Sequence, residues 1–194
     1  MNPLKIFIAS FLVNNIVLMR YIGLCPFFGV STRFSTSFGM GMAVIFVMTL
    51  ATFVTFILYH LLLLPLNLIF LRTAVFILVI ASLVQFVEMF LKKSFRALYS
   101  ALGIYLPLIT TNCAILACTF LVINYQYNLL QALIFALGTG LGFMFVILIF
   151  AAIREKLDYA PISPAFKGYT IAFIAAALVS LGFMGFIGLF GISL

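Results

Sequence analysis

Tryptophan is absent, and only three of the 194 side chains carry a carboxylate. The first absence leaves tyrosine as the residue for any aromatic belt at a membrane boundary. The second leaves little material for acid–base catalysis, and no catalytic triad, paired carboxylates or zinc-protease helix is present. Three cysteines, Cys25, Cys113 and Cys118, all in apolar segments, make no disulfide framework. Charged residues amount to 7% of the chain, whereas a soluble domain carries about a quarter. That is too little polar surface to hold a globule in water.

What is present in quantity is apolar, 67% of the residues, so the chain reads as an all-α, polytopic integral membrane protein. The net charge of +7 is no nucleic-acid signal, because the basic residues sit singly or in short groups between apolar runs. The first run lacks a small-residue cleavage site followed by a polar domain, so it does not read as a cleaved signal.

A spanning helix needs about 20 apolar residues. Six candidates are expected. The first covers about 6–19, or continues in broken form to about 30. The others cover about 38–64, closed by Pro65, then 68–91, 98–123, 129–153 and 169–192. Arg20 and Arg33 fall between the first pair, Lys92, Lys93 and Arg96 between the third and fourth, and Arg154, Lys156 and Lys167 between the last two. The loops near Pro65 and at residues 124–128 hold no Lys or Arg. Basic loops stay in the cytoplasm, which predicts that both termini face outward, with Lys5 as a weak dissenter.

Six helices divide into halves of about 1–93 and 94–194 within one membrane domain, and three helices per half force the halves into opposite orientations. Cys25 follows Lys5 by twenty residues and Cys113 follows Lys93 by twenty. Each cysteine lies late in the first helix of its half, beside a proline, so the first and fourth helices are expected to be broken.

Two stretches carry the chemistry. In Gly23-Leu24-Cys25-Pro26-Phe27-Phe28-Gly29 a thiol sits among two glycines and a proline. Leu106-Pro107-Leu108-Ile109-Thr110-Thr111-Asn112-Cys113 looks like its counterpart. Irregular backbone in an apolar layer is tolerated only where protein or a cavity covers it. A cysteine in such surroundings is either a small buried hydrophobe or a soft metal ligand. The bland reading suffices for Cys118, which has no helix breaker beside it. For Cys25 and Cys113 both readings stand. If they are ligands of a four-thiolate cluster, two further thiolates must come from another chain.

Other polar residues have simpler roles. His60 reads as an interfacial residue, and Glu88 as the partner of Lys92 one helical turn on. Asn14 and Asn15 are candidates for helix packing or an ion path. Thr110, Thr111 and Asn112 could donate to a cluster sulfur, with Gly23 and Pro26 shaping the same shell. Arg154, Glu155, Lys156 and Asp158 read as a solvated loop suited to docking partners. Gly138, Gly140 and Gly142 lack a phosphate-binding pattern, and Gly182, Gly185, Gly188 and Gly191 form a smooth strip for a close neighbour.

Residues 12–31, residues 103–114 with Pro107-Leu108-Ile109-Thr110-Thr111-Asn112-Cys113, residues 151–157 and residues 180–186 together resemble a known family. It comprises the RnfA/RsxA and RnfE membrane subunits of Rnf complexes and the NqrD and NqrE subunits of the sodium-pumping quinone reductase. Asn14-Asn15 and Cys25-Pro26 favour the Rnf side of it over the Nqr side. The resemblance implies a bacterial inner-membrane subunit of a translocase, not catalytic alone. Such a complex passes electrons between ferredoxin and NAD and moves Na⁺ or H⁺. The resemblance further implies a [2Fe–2S] cluster shared with an RnfE-like paralogue of opposite topology, with Cys25 and Cys113 as this chain's ligands. RnfB, RnfC, RnfD and RnfG would be the other partners. A metal-free inverted-repeat transporter and a structural anchor for redox subunits are the competing readings from the residues alone.

Overall fold

The computed structural model describes residues 3–65, 69–94, 112–161, 166 and 168–185, and among the described residues there is no strand. The elements are α1 (Pro3–Ile8) with a π-helical turn (Ala9–Val13), α2 (Leu24–Val30), and α3 (Phe34–Leu58) with a second π-helical turn (Tyr59–Leu63). A 3₁₀ turn (Ile69–Leu71) then leads into α4 (Arg72–Ser94), followed by α5 (Cys113–Asn124), α6 (Leu129–Asp158) and α7 (Tyr169–Met184).

The axis of the bundle is α6. Its sequence is apolar on every side, as suits a helix surrounded by neighbours or lipid. It starts at a capping box in which Asn128 and Gln131 satisfy each other's backbone N–H groups. Thirty residues rise about 45 Å, more than the ~30 Å hydrocarbon core, so the charged last turn can project beyond it.

Small residues let two helices approach this axis. Antiparallel α3 comes so close that a Cβ on Gly41 would lie 2.6 Å from Met144 Cγ, and one on Gly140 would lie 3.1 Å from Ile45 Cγ1. Parallel to α6 runs α1 with its π turn. A Cβ on Gly138 would lie 3.1 Å from the Phe7 carbonyl oxygen and meet Ser10 Oγ, and one on Gly142 would lie 2.8 Å from the Phe11 carbonyl oxygen. The core between these helices includes Ile6, Met40, Met48, Phe143 and Phe150, all fully buried. In contrast, α7 buries only Ala172 and Ser180.

Among the described residues, three helical segments are long and apolar enough to cross a membrane: Phe34–Leu63, Arg72–Met89 and Leu129–Asp158. Pro3–Val13, Cys113–Asn124 and Tyr169–Met184 are shorter apolar helices. The first expected span takes the broken form. Helix stops at Val13, and α2 starts only at Leu24. In the fourth expected span, residues 98–111 lie outside the described residues, and helix is described from Cys113. The fifth runs beyond residue 153, because Arg154, Glu155, Lys156 and Asp158 form the last turns of α6 and not a loop. Of the two forms expected for the first segment, the broken one holds Arg20, in the turn between its two parts.

Candidate metal centre

The break begins with a register change. Asn14 N–H donates to the Ala9 carbonyl at 2.7 Å, closing a π turn, and the helix does not continue. Asn15 then takes over the exposed polar groups. Its Oδ1 accepts from Val17 N–H at 3.1 Å, and its Nδ2 donates to the Gly142 carbonyl at 2.9 Å. A side-chain amide therefore replaces backbone partners inside an apolar layer, as irregular backbone there requires. Through its bond to Gly142, Asn15 ties the break to α6. Asn14 Oδ1 accepts from Arg20 Nε at 3.3 Å, and Arg20 Nη2 donates to the Tyr125 hydroxyl at 2.8 Å.

The turn ends at Gly23, whose φ of +86° strains any residue with a Cβ. It is the residue before α2, so Cys25 and Pro26 stand in that helix's first turn. Proline is harmless there because the N–H groups of a first turn have no partner within the helix. Pro26 and Phe27 are buried, whereas Cys25 is exposed. At the other end of α2, Arg154 Nη1 donates to the Phe28 carbonyl at 2.8 Å and to Ser31 Oγ at 3.0 Å.

The second cysteine also opens a helix. Asn112 is the N-cap of α5, its Oδ1 accepting from Ala114 N–H at 3.0 Å, and Cys113 is the first helical residue. Cys113 is exposed at the protein surface. The two helix starts meet: a Cβ on Gly23 would lie 3.0 Å from Ala114 Cβ, 3.4 Å from Asn112 Oδ1 and 3.5 Å from Phe143. Phe143 is at the middle of α6, which sets the depth of the junction. Asn112 is 3% exposed, and its Nδ2 has no hydrogen-bond partner among the described residues.

Two exposed thiols on adjoining helix starts, with a buried unpartnered N–H donor beside one of them, fit half of a thiolate-ligated iron–sulfur site. Among the described residues no group of three or more His, Cys, Asp or Glu side chains converges, so the remaining ligands would have to come from outside these residues. Cys118 stands apart, fully buried in α5 with Thr52 Oγ1 3.9 Å from its sulfur. Thr110 and Thr111 lie outside the described residues. His60 is exposed, stacks on Phe56 with ring centroids 4.3 Å apart, and contacts the Phe56 carbonyl.

Several contacts at the break escape a reading of the sequence. Ser180 Oγ donates to the Leu18 carbonyl at 2.8 Å and pairs with the Tyr21 hydroxyl at 3.1 Å, tying α7 to the turn. A lone Ser in an apolar helix gives no sign of such a partner. Arg20 carried a better signal: it stands between Asn14-Asn15 and Gly23, within the polar interruption.

The family described as "Rnf-Nqr subunit, membrane protein" matches residues 3–190. The chain is 52% identical over 186 residues, 96% of each chain, to the A-type subunit of the ion-translocating oxidoreductase complex of Cronobacter sakazakii. Proteins of the same name from Syntrophotalea carbinolica (52% over 188 residues, 97% of each chain) and Escherichia coli O1:K1 (51% over 186 residues, 96% of each chain) are similar throughout.

Proposed function

The chain belongs to the Rnf-Nqr family of membrane subunits, and from that premise we propose that it serves an ion-translocating electron-transport complex by supplying two of the four thiolates of an intramembrane [2Fe–2S] cluster. The ligands in this reading are Cys25 and Cys113. The observation that carries it is the junction at Gly23, where both cysteine-bearing helix starts adjoin and both cysteines face outward from the chain.

When bound, the group supplies one-electron transfer within the apolar layer. The chain's own residues hold and tune it. Gly23 lets the helix starts touch, Asn112 Nδ2 is a buried donor at the start of α5, and Arg154 fixes the far end of α2. Exposure of both thiols supports a partner of similar construction, an RnfE-like paralogue, as source of the other two ligands. RnfB-, RnfC-, RnfD- and RnfG-type subunits complete the complex, in a bacterial inner membrane. The shared arrangement of a cysteine at the start of α2 and of α5 supports a 3+3 inverted repeat of six spans, with both termini outward.

The test is to co-express the chain with its candidate paralogue, purify the pair without oxygen, and assay iron, labile sulfide and the paramagnetic signal of the reduced state. The pair is expected to hold a [2Fe–2S] signal that Cys25→Ser or Cys113→Ser abolishes and Cys118→Ser leaves. Absence of iron, or a signal that survives both of the first two changes, overturns the assignment.

A further inference from the structure

Arg20 carries a charge in an unusual place. The turn that holds it is bracketed by Asn15 on Gly142 and by Gly23 against Phe143, both at the middle of α6. The guanidinium is half-buried and uses two of its five N–H donors, on Asn14 Oδ1 and the Tyr125 hydroxyl. Both partners are neutral. The chain's side-chain carboxylates are Glu88, Glu155 and Asp158, and among the described residues none pairs with Arg20. A cation inside an apolar layer normally pairs with an opposite charge or marks a functional site.

In the reading proposed above, the cluster held by Cys25 and Cys113 would bring negative charge into the same layer. Arg20 precedes Cys25 by five residues, which caps their Cα separation at about 18 Å. Across an apolar layer, charges at that range interact without the screening that salt gives in water. Tyr125 caps the far end of α5, twelve residues beyond Cys113, so the guanidinium ties the break to the helix that Cys113 begins.

We infer that Arg20 is the fixed counter-charge of the iron–sulfur site, a positioning residue that favours its reduced, more negative state. The inference rests on the cluster assignment proposed above. It acts through charge alone: Arg20 ligates nothing and transfers no proton.

The experiment is a redox titration of the purified two-subunit complex, with iron and labile sulfide assayed in parallel. Arg20→Gln should keep its iron while the midpoint falls by at least tenfold in the reduction equilibrium, about 59 mV for one electron. Arg20→Lys, which keeps the charge, should stay near the wild-type midpoint. Iron retained with an unchanged midpoint in Arg20→Gln overturns the inference and leaves the cluster assignment intact. If wild-type complex holds no iron, it is the cluster assignment that fails. Should Arg20→Gln fail to assemble, Asn14→Asp places a carboxylate against the guanidinium and cancels its charge in place. The same fall is then expected, and its absence overturns the inference equally.

Discussion

Gly23 and Ala114 approach so closely that a Cβ added to the glycine would lie 3.0 Å from the alanine Cβ. This one contact joins the start of α2 to the start of α5, and with them the two cysteines. It fails in two ways if Gly23 is replaced. Alanine would have to hold a φ of +86° and would crowd Ala114. The expected cost of Gly23→Ala is about 2–4 kcal/mol, from backbone strain and overpacking together. Unfolding of the detergent-solubilised protein measures it. Adding Ala114→Gly should return the crowding part and leave the strain, so a double-mutant cycle separates them.

Asn112 performs two jobs that substitution can split. Its Oδ1 caps α5, while its buried Nδ2 has no partner among the described residues. Asn112→Ala removes the cap and should cost about 1 kcal/mol. Asn112→Asp keeps an acceptor at a helix N-terminus but buries a charge there, so it should be less stable than wild type without iron. In the assembled pair, Asn112→Asp should also lower the cluster midpoint, because a donor becomes an anion. Equal midpoints in wild type and Asn112→Asp would remove Asn112 from the cluster's surroundings.

The glycines of α6 and α7 should behave differently. A Cβ on Gly142 would meet the Phe11 carbonyl oxygen at 2.8 Å and Asn15 Nδ2 at 3.1 Å, whereas one on Gly182 meets nothing within 4 Å. Gly142→Ala should therefore destabilise by about 1–3 kcal/mol and loosen the break. Gly182→Ala should be neutral in the single chain. If Gly182→Ala weakens assembly with the paralogue instead, the α7 strip is where that neighbour approaches.

Tyr127, in the turn between α5 and α6, has a buried hydroxyl with no hydrogen-bond partner among the described residues. Burial, with a smaller contribution from Tyr125, raises its pKa above the ordinary tyrosine value. A raised folded-state pKa means the folded protein holds the proton more tightly. The associated stability is therefore full below about pH 10 and falls as pH climbs through the raised value. Tyr127→Phe should flatten that alkaline fall and, by deleting an unsatisfied hydroxyl, should gain up to about 1 kcal/mol near neutrality. Unfolding midpoints measured against pH check both, and phenolate absorbance can be followed in a chain without tryptophan.

The helices were legible because apolar runs of spanning length leave few alternatives, and Gly23 with Pro26 marked the break. What composition hid was which polar atoms would meet. Asn15 bonds a carbonyl 127 positions away, and no local pattern encodes that partner. Arg20 fitted either the end of a span or the inside of a broken one, because positive charge usually marks a span's end. Here two neutral hydrogen-bond partners hold it inside the break. The charged stretch after Ile153 looked like a loop because its residues are polar, yet Arg, Glu and Lys are good helix formers and simply extend α6. Cys118 and Cys113 already differ in their surroundings, since only Cys113 follows a proline and the polar run Thr110-Thr111-Asn112. Their fates diverge through position, one at a helix start and the other inside a packed face.

Arg154 gives α2 a mechanical character. The helix has seven residues, about 10 Å of rise, with Cys25 in its first turn and the Arg154 guanidinium bonded at its last. It is thus a short strut. A displacement of the charged end of α6 would reach the thiol along a helix too short to bend.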